Sequence, residues 1–222
     1  MWRRSIFLRD VRAYRTGILG WGIGMGLVVL SVMASVSSLI GTAAQRHELV
    51  QLAGAFAWNA DVAAVDTVGG YATWKIGIFM LLIAIWPVLA ASRTLRGEEE
   101  RGSLDALLSL PRGRVRVALE KSAALWVALL GAGLLIGILV ALGSRRFEAQ
   151  FTAGDAALFA INLVLMCAVM AGLALLVSQF TVQRATAASW GGGLLVLFVV
   201  VDMVHRVVPG TVWLSRLSPV YY

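Results

Sequence analysis

The sequence carries little of the chemistry that marks an enzyme. One cysteine, Cys167, occurs in 222 residues. A lone thiol closes no intramolecular disulfide, and no Cys/His cluster stands by to hold a metal. Histidine occurs twice, at His47 and His205. No GxxxxGK[ST] run is present, so no phosphate-cradling loop of that kind is expected, and no ATP hydrolysis by this chain. HExxH, GxSxG and CxxC are missing too. Charge is scarce: Asp, Glu, Lys and Arg make up 14% of residues, against about a quarter in an ordinary soluble domain.

Apolar residues fill the space, at 59% of the chain with a mean hydropathy of +0.83. A soluble core cannot hide that much apolar surface, so the sequence reads as an all-α integral membrane protein. The net charge of +7 then belongs to orientation in a membrane, and nucleic acid is not expected as a partner.

Five apolar runs are long enough to span a bilayer: 17–40, 72–92, 122–143, 156–180 and 185–204. The first is too long for a cleavable signal core and is expected to be retained. Before it, residues 1–16 hold Arg3, Arg4, Arg9, Arg12 and Arg15 among Ile6, Phe7, Val11 and Tyr14. That spacing predicts an amphipathic helix on the membrane surface, arginines toward anionic headgroups. Gly20 and Gly24, and likewise Gly22 and Gly26, lie four apart in the first span, which predicts a close helix-packing face. Pro87 is placed to bend the second span, and Gly191, Gly192 and Gly193 to loosen the fifth. Trp74 and Lys75 suit an outer interface.

Charge orients the chain. With the N-terminus inside, thirteen Lys and Arg fall on the inner side and six on the outer, so the N-terminus is expected in the cytoplasm. Five spans would leave residues 205–222 outside, and a sixth span is expected to be missing from this chain. Asp202 and His205 form the one ionisable pair near a membrane face, a candidate proton or substrate site set against a plain interfacial pair. Asn162 and Gln179 are expected to hydrogen-bond between helices.

The most polar stretch is 93–121, between the second and third runs. Glu98, Glu99 and Glu100 precede Leu104, Leu107 and Leu108, which share one face at helical spacing. Three carboxylates suit the first turn of that helix. Pro111 and Gly113 stop it, and Arg112, Arg114, Arg116 and Lys121 follow. An acidic start, a leucine stripe and a basic flank describe a docking element better than a catalytic one.

The run from Arg96 to Pro111, with Arg114 and Lys121 after it, resembles the signature of ABC-2-type permeases, GEE-x-G-T/S-L-x-x-LL-x-x-P followed by basic residues. Leu217-Ser218-Pro219-Val220-Tyr221-Tyr222 resembles the stretch these proteins carry before their last span, with Val220 where Phe is frequent. The basic N-terminal segment is similar to their interfacial elbow helix. The resemblance implies the membrane subunit of an ATP-binding-cassette exporter, with spans in sixes. Residues 93–121 would then carry a cytoplasmic coupling helix, with Glu98, Glu99, Glu100, Leu104, Leu107, Leu108, Arg112 and Arg114 as ATPase-coupling residues. It further implies two ATPase domains that hold the ATP and Mg, none of it on this chain, and a second permease half as identical, sister or fused chain. The implied setting is the inner or plasma membrane and the cargo an antibiotic, drug-like or lipid-like molecule. The competing readings are a polytopic membrane enzyme, which needs convergent carboxylates or histidines at one face, and a scaffold with a solvated charged loop.

Overall fold

A computed structural model describes residues 6–39, 80–94, 96–100, 113–146 and 152–207, with the single residues 48, 102, 213, 216 and 218. Seven helices of four residues or more occur among them, and no strand. They are α1 (Ile6–Ala13), α2 (Arg15–Leu39), α3 (Met80–Thr94), α4 (Arg96–Glu99), α5 (Arg114–Arg146), α6 (Ala153–Ser178) and α7 (Arg184–Val207). Four of them, α2, α5, α6 and α7, are long and apolar enough to cross a membrane. The apolar α3 has 15 residues, short of the ~20 that a bilayer core requires. The rest of the expected second span, with Trp74 and Lys75, lies outside the described residues, as do His47 and nearly all of 41–71.

The helices α5 and α6 form the centre. α2 packs along α5, while α3 and α7 pack on α6 and on each other. Small side chains line these contacts: Ala84, Ala91, Ala124, Ala128, Ala171, Ala174 and Ala187 are fully buried. Without a hydrophobic drive between helices in lipid, close backbone approach supplies the dispersion contacts that hold them. The two glycine pairs of α2 part company here. A Cβ on Gly22 would stand 3.0 Å from Leu135 Cβ and 3.2 Å from the Ala132 carbonyl, and one on Gly26 would stand 3.1 Å from Leu139 Cβ. Gly20 and Gly24 face open space. The helix α7 runs unbroken through Gly191 to Gly193. Gly191 is the point where α7 meets α3 and α6, with Val88 and Ala174 against it.

Pro87 is buried inside α3. It has no N–H for the carbonyl four residues back, that of Ile83. The indole Nε1–H of Trp21 on α2 donates to that carbonyl at 3.1 Å. The Trp21 and Trp86 rings stack beside it, centroids 6.3 Å apart. So the bond that proline removes from one helix is supplied by its neighbour.

Two helices begin earlier than hydropathy alone predicts. The helix α5 reaches back to Arg114, eight residues before the apolar run, through an Arg116–Glu120 pair at 3.0 Å. At ~1.5 Å per residue its 33 residues extend ~50 Å, well beyond a ~30 Å hydrocarbon core. The helix α6 begins at Ala153 on a capping box: Thr152 Oγ1 accepts from the Asp155 N–H, and the Asp155 carboxylate accepts from the Thr152 N–H at 2.8 Å. Asn162 donates to Leu158 and Gln179 to Leu175, each four residues back in α6. The Asn162 amide is thus bonded along its own helix and not across to another.

Candidate functional site: a charged joint at the docking segment

The helix α1 and the turn after it present Ile6, Asp10 and Tyr14 on one side, each four residues from the next. Ile6 and Asp10 are buried, at 5% and 9% exposure. The opposing face of α5 offers Val117 and Lys121, also four apart and 1% and 2% exposed. Ile6 packs on Val117, and Lys121 Nζ donates to Asp10 Oδ2 at 3.0 Å. The expected surface helix is therefore covered on this side by protein, and its inner face contains an acid. Leu8, Arg9 and Arg12 stay exposed. The helical ladder continues across Tyr14 into α2, with Tyr14 N–H to the Asp10 carbonyl at 3.0 Å and Ile18 N–H to the Tyr14 carbonyl at 2.8 Å.

The short helix α4 brings in a third element. Glu98 Oε1 lies 2.9 Å from Lys121 Nζ and 2.9 Å from an Arg9 guanidinium nitrogen. Arg9 Nε also meets Asp10 Oδ1 at 3.0 Å. Arg9, Asp10, Lys121 and Glu98 thus close a ring in which cation and anion alternate. A buried ammonium costs several kcal/mol to desolvate unless it is paired and hydrogen-bonded. The two carboxylates on Lys121 meet that condition, and the ring sums to zero charge.

Two further ties hold the same corner. The Glu100 carboxylate accepts the backbone N–H of Arg184, the first residue of α7. An anion there meets an orphan N–H and the positive end of the helix dipole. Thr94 gives its only hydroxyl proton to the Ala90 carbonyl at 2.9 Å, so the Tyr14 hydroxyl, 3.0 Å away, is the donor between the two. Burial raises the Tyr14 phenol above its ordinary value against the opposing pull of the Thr94 contact and the Arg93 guanidinium, and the carboxylates of Asp10 and Glu98 add to the rise.

Glu98 and Glu99 lie in α4, and Glu100 follows it. They end a helical turn of their own. The Gly102 N–H donates to the Glu99 carbonyl at 2.9 Å, and Gly102 takes φ 67°. That left-handed conformation is nearly free for glycine and closes a helix at its C-terminal side. Glu98 is half-buried against Lys121, while Glu99 and Glu100 are both exposed, Glu100 reaching the start of α7. Leu104, Leu107, Leu108 and Arg112 lie outside the described residues. Arg114 is exposed at the start of α5. Asp202 and His205 fall on the last turns of α7, and their side chains are outside what is described. At the other end of the chain, Ser218 of the Leu-Ser-Pro run is buried and donates to the Phe198 carbonyl of α7 at 3.2 Å.

Asp10 is the residue that the sequence reading passed over. The signal was present: it is the one acid among the five arginines of 1–16, spaced four from both Ile6 and Tyr14.

The family model described as ABC-2 family transporter protein matches residues 4–214. Comparison with curated proteins and with solved structures gives no match.

Proposed function

Because the chain belongs to the ABC-2 family of transporter proteins, a family of multi-pass membrane permeases, we propose that it is the membrane half of an ATP-driven exporter whose ATP and Mg are held by separate ATPase subunits. Five spans cross the plasma or inner membrane in this reading, α3 being the inner end of the second, and the N-terminus is cytoplasmic. A second permease half, identical, sister or fused, completes the path. The cargo is amphipathic, such as an antibiotic, a drug-like molecule or a lipid. Asp202 and His205, on the last turns of α7, are the residues to examine for contact with it.

One observation carries the proposal: the segment that would dock on the ATPase is tied by its glutamates to three helices. Glu98 reaches α1 and α5, and Glu100 reaches the start of α7. Nucleotide-driven closure of the ATPase pair displaces the docking segment, and these ties pass the displacement to the spans. Leu104, Leu107 and Leu108 supply the apolar grip on the ATPase. Glu99, Arg112 and Arg114 set register by charge, as complementary charges at an interface do. Glu98 and Glu100 are engaged within the chain, and this disfavours a membrane enzyme built on the acidic cluster.

The test is Leu107→Asp in the complex purified in mild detergent. A charge in the apolar grip is expected to abolish the coupling of ATP hydrolysis to the permease while the permease stays folded. Unchanged permease-dependent ATPase activity, or a chain that purifies with no P-loop protein at all, refutes the proposal.

A further inference from the structure

Lys121 is the most enclosed ionisable group described, and its two partners sit on different helices. Asp10 belongs to α1 and Glu98 to α4. Arg9 bridges the same two carboxylates from the exposed side. A displacement of α4 alone would therefore strip Lys121 of one of its two carboxylates and break the contacts of Glu98 with Lys121 and Arg9. In a buried site an uncompensated charge is expensive, so the ring resists that separation. On one side of it Ile6 packs on Val117, and on the other Tyr14 packs against the core.

We infer that the ring clamps α1, α4 and the inner part of α5 into one rigid unit, so that the N-terminal helix travels with the docking segment and is not a passive membrane anchor. Asp10, Arg9 and Lys121 are positioning residues for energy transfer. They act by keeping three helices in register. This inference rests on the permease reading above.

The ring makes a prediction that an isolated ion pair does not. Exchanging a simple pair, Asp10→Lys with Lys121→Asp, restores the attraction. In the ring the same exchange sets Lys beside Arg9 and Asp beside Glu98, so two of the four sides become repulsive. The exchange variant is expected to behave no better than Asp10→Asn alone.

The decisive measurement is a set of spin-label distances in the complete permease–ATPase complex, with Cys167→Ala as background. Labels replace the exposed Arg12 on α1 and Val115 on α5, and a second pair joins Arg12 to the exposed Leu158 on α6. Distances are compared without nucleotide and after trapping with ATP and vanadate. With the ring intact, the 12–115 distance is expected to stay constant while the 12–158 distance shifts. Asp10→Asn with Lys121→Met removes one charge of each sign and leaves no buried ion alone, so folding is retained. In that variant the 12–115 distance is expected to shift on trapping. The inference is overturned if 12–115 shifts with the ring intact, if 12–158 never shifts, if 12–115 stays fixed in the double variant, or if the exchange variant matches the unaltered protein. Leu107→Asp separates the two levels. If it leaves the trapping response intact, the docking reading fails. If it abolishes the response while 12–115 shifts in the unaltered protein, the ring inference alone fails.

Discussion

Substituting alanine at Gly26 and at Gly24 should give opposite results, although the two glycines are two residues apart in one apolar run. At Gly26 the new methyl would lie 2.3 Å from Leu139 Cδ1, 3.2 Å from Cγ and 3.1 Å from Cβ. Carbon pairs rest at ~3.5–4.0 Å. A change of rotamer moves Cδ1 away at a cost of about 1 kcal/mol. Cβ has no such freedom, since it is fixed to the α5 backbone, so α2 and α5 must also move apart. Overpacking of this kind costs ~1–3 kcal/mol, which is roughly a five- to hundredfold change in the unfolding equilibrium. At Gly24 nothing lies within 4 Å, and alanine should cost nothing measurable. The assay is reversible unfolding in mixed micelles, followed by tryptophan fluorescence. Gly22→Ala should resemble Gly26→Ala, since the Ala132 carbonyl at 3.2 Å is backbone and cannot rotate aside. Equal loss at Gly24 and Gly26 would refute the assigned rotation of α2 against α5.

Two further predictions concern single hydrogen bonds. Trp21→Phe keeps the ring against Trp86 but removes the donor to Ile83, and should cost ~0.5–1.5 kcal/mol. In a Pro87→Ala background the helix regains its own donor, so Trp21→Phe should then cost nearly nothing. A cycle with no coupling between the two sites would refute the account of that bond. The second prediction concerns pH. Tyr14 must stay protonated to donate to Thr94, and its pKa is raised in the fold. Between the unfolded value near 10 and the higher folded value, the folded state holds a proton that the unfolded state has released. The stability from this group is therefore present below pH ~10 and falls as pH rises beyond it. Phenolate absorbance should reveal a tyrosine that ionises late, and Tyr14→Phe should remove that phase. A phase that survives the substitution would assign the late ionisation to another residue.

The apolar runs made the long helices legible, because a spanning helix must satisfy its backbone internally and so needs an unbroken stretch of apolar side chains. The ends were less legible. Hydropathy does not register that Arg116 and Glu120 extend α5 below the run, or that Thr152 and Asp155 cap α6 above it, although the Thr-x-x-Asp pattern was there to read. Spacing also could not separate Gly22 and Gly26 from Gly20 and Gly24. The choice lies with Leu135 and Leu139, more than a hundred residues later. The docking segment was recognisable, but the direction of its carboxylates was not. Glu98 turns inward because a lysine 23 residues later faces an aspartate 111 residues earlier, and no local pattern encodes such a meeting. Periodicity also did not show the left-handed turn at Gly102 that follows the acids.

The proline in α3 bears on how the molecule is assembled. A helix entering lipid must bring every backbone carbonyl already partnered, and α3 cannot do so, because the carbonyl of Ile83 has its donor on another segment. That donor, Trp21, is made some sixty residues earlier in synthesis, so α2 is already in place when α3 emerges. The carbonyl that Pro87 leaves open is satisfied in lipid once α3 lies against α2. One missing N–H thus makes contact with α2 part of what α3 needs to be at home in lipid.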